Sequence, residues 1–361
     1  MIYYIALAFL LFVAYYLTRR FKKGKIIFLS IAFVLLSVIA CFRDVSVGTD
    51  TLQYFNTYQN YAHYHLKDIR LGMVYEPGYM AYIITLSKIS SNPRLLIILN
   101  YLFINFSILF FIYKNSKNYF ISTIVYVLSC QFLASMCMMR QFLAISIVLL
   151  NFDAFLRGKN IRFIIAILIA TMFHYFSLMF ILLPIFKKIR KLSFTQLIII
   201  VAVFIPIFIF LPNIILWVIT HVDNYGDYYD YLDRIGELHG TLRFPPMMII
   251  LVVILFPFLF NFKDVFYKDE VVMFNGKDYS ILNIIYFFLA FLVILAGRFS
   301  LFTRFYYYYT PFMVLIPNLY CKKENDNSWN LYYIAILSAA FVFCLATGSG
   351  TYGTEHYVFG F

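Results

Sequence analysis

Apolar runs long enough to cross a lipid bilayer follow one another along almost the whole chain, separated by short basic clusters. A spanning helix needs ~17–25 predominantly apolar residues. Runs such as 1–18, 26–42, 94–113 and 194–219 approach or reach that length. Lipid offers no hydrogen bonds, so such segments must satisfy their backbone groups internally, as helices. Composition agrees. The chain is 63% hydrophobic and 13% charged, whereas soluble domains are roughly 45–50% apolar and about 25% charged. The reading is all-α: a polytopic integral membrane helical bundle of about 11–12 transmembrane helices, with shallow or re-entrant outer helices, forming one domain over 1–361. The first 18 residues are too long and aromatic for a cleaved signal and lack a basic amino-terminal region, so they read as the first span.

Charge decides the topology, because Lys and Arg near span ends accumulate on the cytoplasmic side. The clusters are 19–25, 114–117, 157–162, 187–191, 263–278 and 321–326. Placing all six inside forces a path. Residues 1–18 enter and 26–42 exit, and an outer loop covers 43–76. Residues 77–92 then form a shallow or re-entrant outer helix, and 94–113 is a full crossing. Segment 118–156 is too long for one helix and should turn near 135–140, which brings Arg140 to the outer surface. An arginine at the bilayer centre costs roughly 2.5–3.5 kcal/mol or more. Segment 162–186 should enter and leave on one side, with His174 at its outer turn. Further spans are expected at 194–219, 244–262, 280–297, 305–320 and 329–346. Both the amino terminus and the tail 347–361 fall outside.

This path sorts the polar residues. Lysines line the inside, while Arg43, Asp44, Asp50, Glu76, Arg140, His174, Arg298, Arg304 and His356 gather outside with the loop 221–243. Ionisable groups at membrane depth usually mark a site. Guanidinium binds phosphate or carboxylate with two parallel bonds, so four arginines on one face suit a fixed anion; a lone one is more often a snorkelling anchor. Arg298 and Arg304 would line one groove if their helix is unbroken. Asp44 could orient an arginine or accept a sugar hydroxyl. Asp50 or Thr51 could cap the next helix. Glu76 is a general base or the N-terminal acid of a Pro-started helix. His174 is a general base or an interfacial histidine. In 221–243 the acids and tyrosines, among them Tyr228, Asp230 and Asp233, suit sugar binding or an aromatic belt with a solvated loop. Tyr54, Tyr306 and His356 complete the candidate substrate contacts. The five cysteines show no metal-ligand spacing, and no metal or other cofactor is expected. There is no P-loop and no zinc-protease motif. The net charge of +12 is scattered between membrane segments, which suits an anionic bilayer surface and not nucleic acid.

The order of five motifs resembles the EpsG/Wzy-like family of polysaccharide repeat-unit polymerases: "FRDVSVGTDTLQYF" (42–55), "YEPGY" (75–79), "MRQFLAISIVLL" (139–150), "TMFHYFSLMFILLP" (171–184) and "RFSLFTRFYYYYTPF" (298–312). The resemblance implies an inner-membrane glycosyltransferase of bacterial O-antigen, capsule or exopolysaccharide assembly, with its site on the outer face. Such proteins move a growing glycan from undecaprenyl diphosphate onto an incoming lipid-linked repeat. The implied partners are that lipid-linked oligosaccharide and the bilayer, with a chain-length regulator and a flippase as candidate protein partners. The family's arginine-rich outer face maps to Arg43, Arg140, Arg298 and Arg304, and its histidine to His174. Arg298 and Arg304, or Arg140, would hold the diphosphate, and Glu76, Asp44 or His174 would be the acceptor's base. The loop 221–243 matches no family motif. Two alternatives stay open: a flippase or transporter of lipid-linked oligosaccharide without chemistry, and another outer-leaflet lipid-linked glycosyltransferase or ligase.

Overall fold

The computed structural model describes residues 2–70, 75–189, 273–274, 277–298, 301–320, 330–348 and 352–360, with isolated positions between 202 and 217. The expected spans 194–219 and 244–262, and the loop carrying Tyr228, Asp230 and Asp233, lie mostly or wholly outside the described residues. Among the described residues the chain is all-α, apart from a two-residue ladder pairing Met273–Phe274 with Lys277–Asp278 and a single bridge between Arg43 and Phe359.

The first two helices are α1 (Ile2–Thr18) and α2 (Gly24–Cys41), both apolar. A short helix α3 (Thr51–Tyr61) and α4 (Pro77–Ile89) follow. Helix α4 starts at a proline in its first position, where the missing N–H costs nothing. Its 13 residues reach only about 20 Å, short of the ~30 Å hydrocarbon core, as a shallow helix requires. Helix α5 (Arg94–Asn115) is full length. Segment 118–156 breaks twice, into α6 (Tyr119–Leu128), α7 (Gln131–Cys137) and α8 (Met139–Leu156). The corner at Met138 is the expected one. The other is a 53° bend through Cys130, whose φ of 59° is left-handed. Among the described residues, α2, α5 and α8 are long and apolar enough to cross a membrane, and α6 with α7 adds one bent span.

Helix α9 (Asn160–Thr171) climbs to His174, and the chain returns through a 3-10 segment, Tyr175–Ile181, and α10 (Leu182–Ile189). Then come α11 (Ile281–Arg298), α12 (Leu301–Tyr309), a 3-10 stretch Thr310–Leu315, α13 (Pro317–Tyr320) and α14 (Asn330–Thr347). Helix α8 sits centrally, packed on α5, α9 and α12. All ten residues of α6 are buried, as expected of a helix apolar on every side.

Among the described residues, basic residues of the clusters at 19–25, 114–117, 157–162 and 187–191, together with Lys277, meet at one end of this bundle. Lys25 lies over the Tyr113 ring, and Lys117 donates to Asn318. Lys187 donates to the carbonyls of Phe155 and Leu156. Arg157 and buried Lys277 both pair with Asp153, and Tyr279 donates to Asn115. Helices α5 and α8, and the α12–α13 stretch, run from this end to the opposite one, where Arg94, Arg140 and Arg304 stand.

Candidate active site

At the opposite end, Glu76, Arg140, His174, Tyr308 and Arg304 come together from four separate stretches of sequence. Arg140 is in the first turn of α8, put there by the corner at Met138. Its guanidinium pairs with Glu76 and lies over the Tyr75 ring, 4.4 Å from the centroid, a favourable cation–π geometry. The other oxygen of Glu76 accepts the Tyr175 amide at 3.0 Å. Glu76 is 5% exposed, so its charge is compensated from both sides, as a buried carboxylate requires. The Nε of Arg140 is buried with no partner among the described residues.

Gly78 makes this clasp possible. A Cβ there would lie 2.7 Å from Met172 Cβ and 2.8 Å from its carbonyl oxygen, while the Tyr79 amide donates to that same carbonyl at 3.1 Å. The start of α4 can therefore press on the turn after α9 only with a hydrogen for a side chain, which brings Glu76 to Tyr175.

His174 is extended at the head of that turn, outside the spanning segments. Its Nδ1 lies 2.6 Å from the Tyr308 hydroxyl. Burial, with Arg140 and Arg304 nearby, pushes the imidazole down to about 3, so it is neutral across the physiological range. One ring nitrogen, Nε2, remains. Arg304 lies one helical turn before Tyr308 on α12. Its backbone carbonyl accepts from Gln141 Nε2 at 2.7 Å, which ties α12 to α8. Its side chain is exposed and has no hydrogen-bond or ion-pair partner among the described residues.

Several expected site residues lie elsewhere. Arg43 corrects the reading most. It is 1% exposed, and all three guanidinium nitrogens bind protein: Nε the Val47 carbonyl, Nη1 the Ala40 carbonyl, and Nη2 Thr51, Tyr101 and the Met136 carbonyl. It binds no external anion in this arrangement; it satisfies carbonyls left over where α2 and α7 end. Asp44 accepts from the amide and hydroxyl of Ser46, bonds that, with a smaller pull from Arg94, hold its carboxyl below the usual range; it serves a turn. Asp50 takes the N-cap position of α3 without a side-chain cap bond and accepts from Thr49, while Thr51 donates back to Val47. Tyr54 is buried with its ring against Tyr79, and Tyr306 is buried on Tyr307, so neither offers a face to a sugar. Helix α11 ends at Arg298 and packs against α12. The two arginines therefore do not share one continuous helix, and the Arg298 side chain lies outside the described residues.

His356 is exposed on a strap, 352–360, that zips onto the loop after α2. Gly48 and Thr49 donate to the carbonyls of Gly353 and Tyr352, Asp44 donates to Val358, and Gly360 donates to Phe42. Gly48 has φ +90°, a region that favours glycine. The strap is fastened below by Tyr4 to the Thr354 carbonyl and Tyr357 to the Ile39 carbonyl, both at 2.8 Å.

Sequence reasoning missed Tyr308 and Tyr75. A signal existed for Tyr308, because Arg304 and Tyr308 are four apart and share a helix face. Tyr75 sits beside Glu76 but faces Arg140 only through the fold.

The EpsG family model matches residues 26–358. Neither a curated protein nor a solved structure matches the chain.

Proposed function

The chain belongs to the EpsG family, and from that premise we propose that it is a polysaccharide polymerase acting on lipid-linked repeats at the outer face of the bacterial inner membrane. One observation carries the reading: an exposed, unpaired Arg304, the half-paired Arg140 and a neutral His174 converge at the end of the bundle opposite the lysines. By the inside preference of lysine, that end is the outer one.

The chemistry is glycosyl transfer. An acceptor hydroxyl attacks the anomeric carbon of the donor glycan, and the bond from that carbon to the diphosphate oxygen breaks. The lipid diphosphate leaves with the electron pair. Arg304 and the spare Nε–H of Arg140 receive the charge that develops there; preorganised donors of this kind are worth roughly 10²–10³ in rate. The proton goes to Nε2 of His174, whose Nδ1–H is then donated to the Tyr308 oxygen. Of the three candidate bases, Glu76 has both oxygens engaged and Asp44 is held in its turn. A low imidazole pKa is a poor match for a base at neutral pH. Two of the causes that depress it, after burial, are Arg140 and Arg304, and a bound diphosphate neutralises both and lifts it.

The test gives purified protein one synthetic lipid-linked repeat and no nucleotide sugar. A ladder of polymer is expected. Arg304→Ala should cut the rate by roughly 100-fold with thermal stability unchanged. Movement of the lipid across vesicles without a new glycosidic bond would instead identify a transporter.

A further inference from the structure

A second feature begins where the polar cluster ends. Helices α2, α5 and α8, which are long and apolar enough to cross a membrane, frame a groove of about 580 Å³. Its floor is one face of α5: Leu99, Leu102, Phe103 and Phe106 follow the i, i+3, i+4, i+7 spacing of a helix stripe, and Leu143 and Ile147 on α8 form a wall. Leu102 and Phe106 remain 37% and 51% exposed. At one end stand Tyr82 and Phe173, whose rings lie 6.2 Å apart. Phe173 immediately precedes His174, and Tyr82 is one turn beyond Tyr79, which lies near the Arg140 guanidinium.

The lining is almost wholly apolar, and its Tyr82–Phe173 end adjoins His174 and, by way of Tyr79, the Arg140 guanidinium. That polarity matches a molecule with a long hydrocarbon tail and an anionic head. We propose that this groove seats the polyprenyl tail of the lipid-linked substrate, with the diphosphate at the Phe173 end facing Arg140 and Arg304. The proposal rests on the polymerase reading for the identity of the head group. It adds the tail's place on the protein and a reason for tail-length selectivity, since each further tail segment buries apolar surface along α5.

The experiment uses the full chain in lipid nanodiscs with a photo-reactive phenylalanine in place of Leu102. The probe is an alkyne-tagged polyprenyl diphosphate without a sugar, so that labelling does not depend on polymerisation. Labelling at that position is expected, competed by untagged polyprenyl diphosphate and not by excess anionic phospholipid. Equal competition by phospholipid, which would make the groove an ordinary lipid crevice, overturns the proposal. A second arm fills the groove with Leu102→Trp. The expected result is a fall of at least about tenfold in kcat/KM for a long-tailed repeat and no change for a short-tailed one. An equal loss for both tails, or no loss for either, also overturns it. A ladder without labelling sinks the groove alone; labelling without a ladder sinks the polymerase reading alone.

Discussion

Arg140 and Asp153 stand at opposite ends of α8, each in an ion pair, yet the two surroundings differ in what they leave over. At the lysine-rich end Asp153 is shared by Lys277 and Arg157, and Asn115 accepts from Lys277, Tyr279 and Asn318. Lys277 is 4% exposed, and the cluster reads as a strut that fastens the 277–279 segment to the ends of α5 and α8. At the other end Glu76 is fully engaged, but Arg140 keeps an unpartnered Nε, His174 keeps a ring nitrogen and Arg304 keeps its whole guanidinium. A cluster that satisfies itself stabilises a fold, whereas one with donors to spare can meet a ligand.

The largest effect that would break this contrast is at Arg140. Arg140→Met is expected to abolish polymer formation and to cost about 3–5 kcal/mol of stability, because it strands a buried carboxylate. Adding Glu76→Leu should return most of the stability, as apolar replacements of buried pairs often do, and none of the activity. Thermal unfolding in detergent together with the ladder assay separates the two. Activity restored in the double variant would make the pair a strut like its counterpart. Lys277→Met should act the other way round. Asp153 is one-third exposed and retains Arg157, so the loss should be a smaller ~1–3 kcal/mol, with activity per folded molecule unchanged. A turnover defect in the folded fraction would show that the lysine end also serves the reaction.

At mildly acid pH the smallest effect is in protonation. His174 is neutral when folded, with its pKa lowered to about 3, while an unfolded histidine titrates near 6.5. Between those values the unfolded chain binds the extra proton, so stability falls as pH drops from about 6.5 toward 3 and is unaffected above that window. His174→Gln should flatten this part of the melting-temperature profile. An unchanged slope would mean that His174 is charged in the folded protein.

The sequence was informative where charge and length act alone. Six lysine-bearing clusters forced the short α4, the corner before Arg140 and the outer turn at His174, and those three features bring Glu76, Arg140 and His174 within reach of one another. It was misleading where partners decide. Nothing in "FRDVSVGTD" reveals that Arg43 faces inward, because what draws it in is a set of carbonyls freed by helix ends, one of them 93 residues away. Tyr54 and Tyr306 were placed by type, and a tyrosine at a membrane boundary suits a buried ring as well as an exposed one. The bend at Cys130 carries no Gly or Pro to announce it.

The strap across the Arg43 loop also fixes an order of events. Residues 42–49 emerge early in synthesis, but their hydrogen-bond partners Tyr352, Gly353 and Val358 emerge some three hundred residues later. Until then the loop after α2 holds only its local bonds and those to Arg94, Tyr101 and Met136, and closing so long a span is an entropically slow step. The face beside the candidate site is therefore fastened late, after the helices that carry Arg140 and Arg304 are already made.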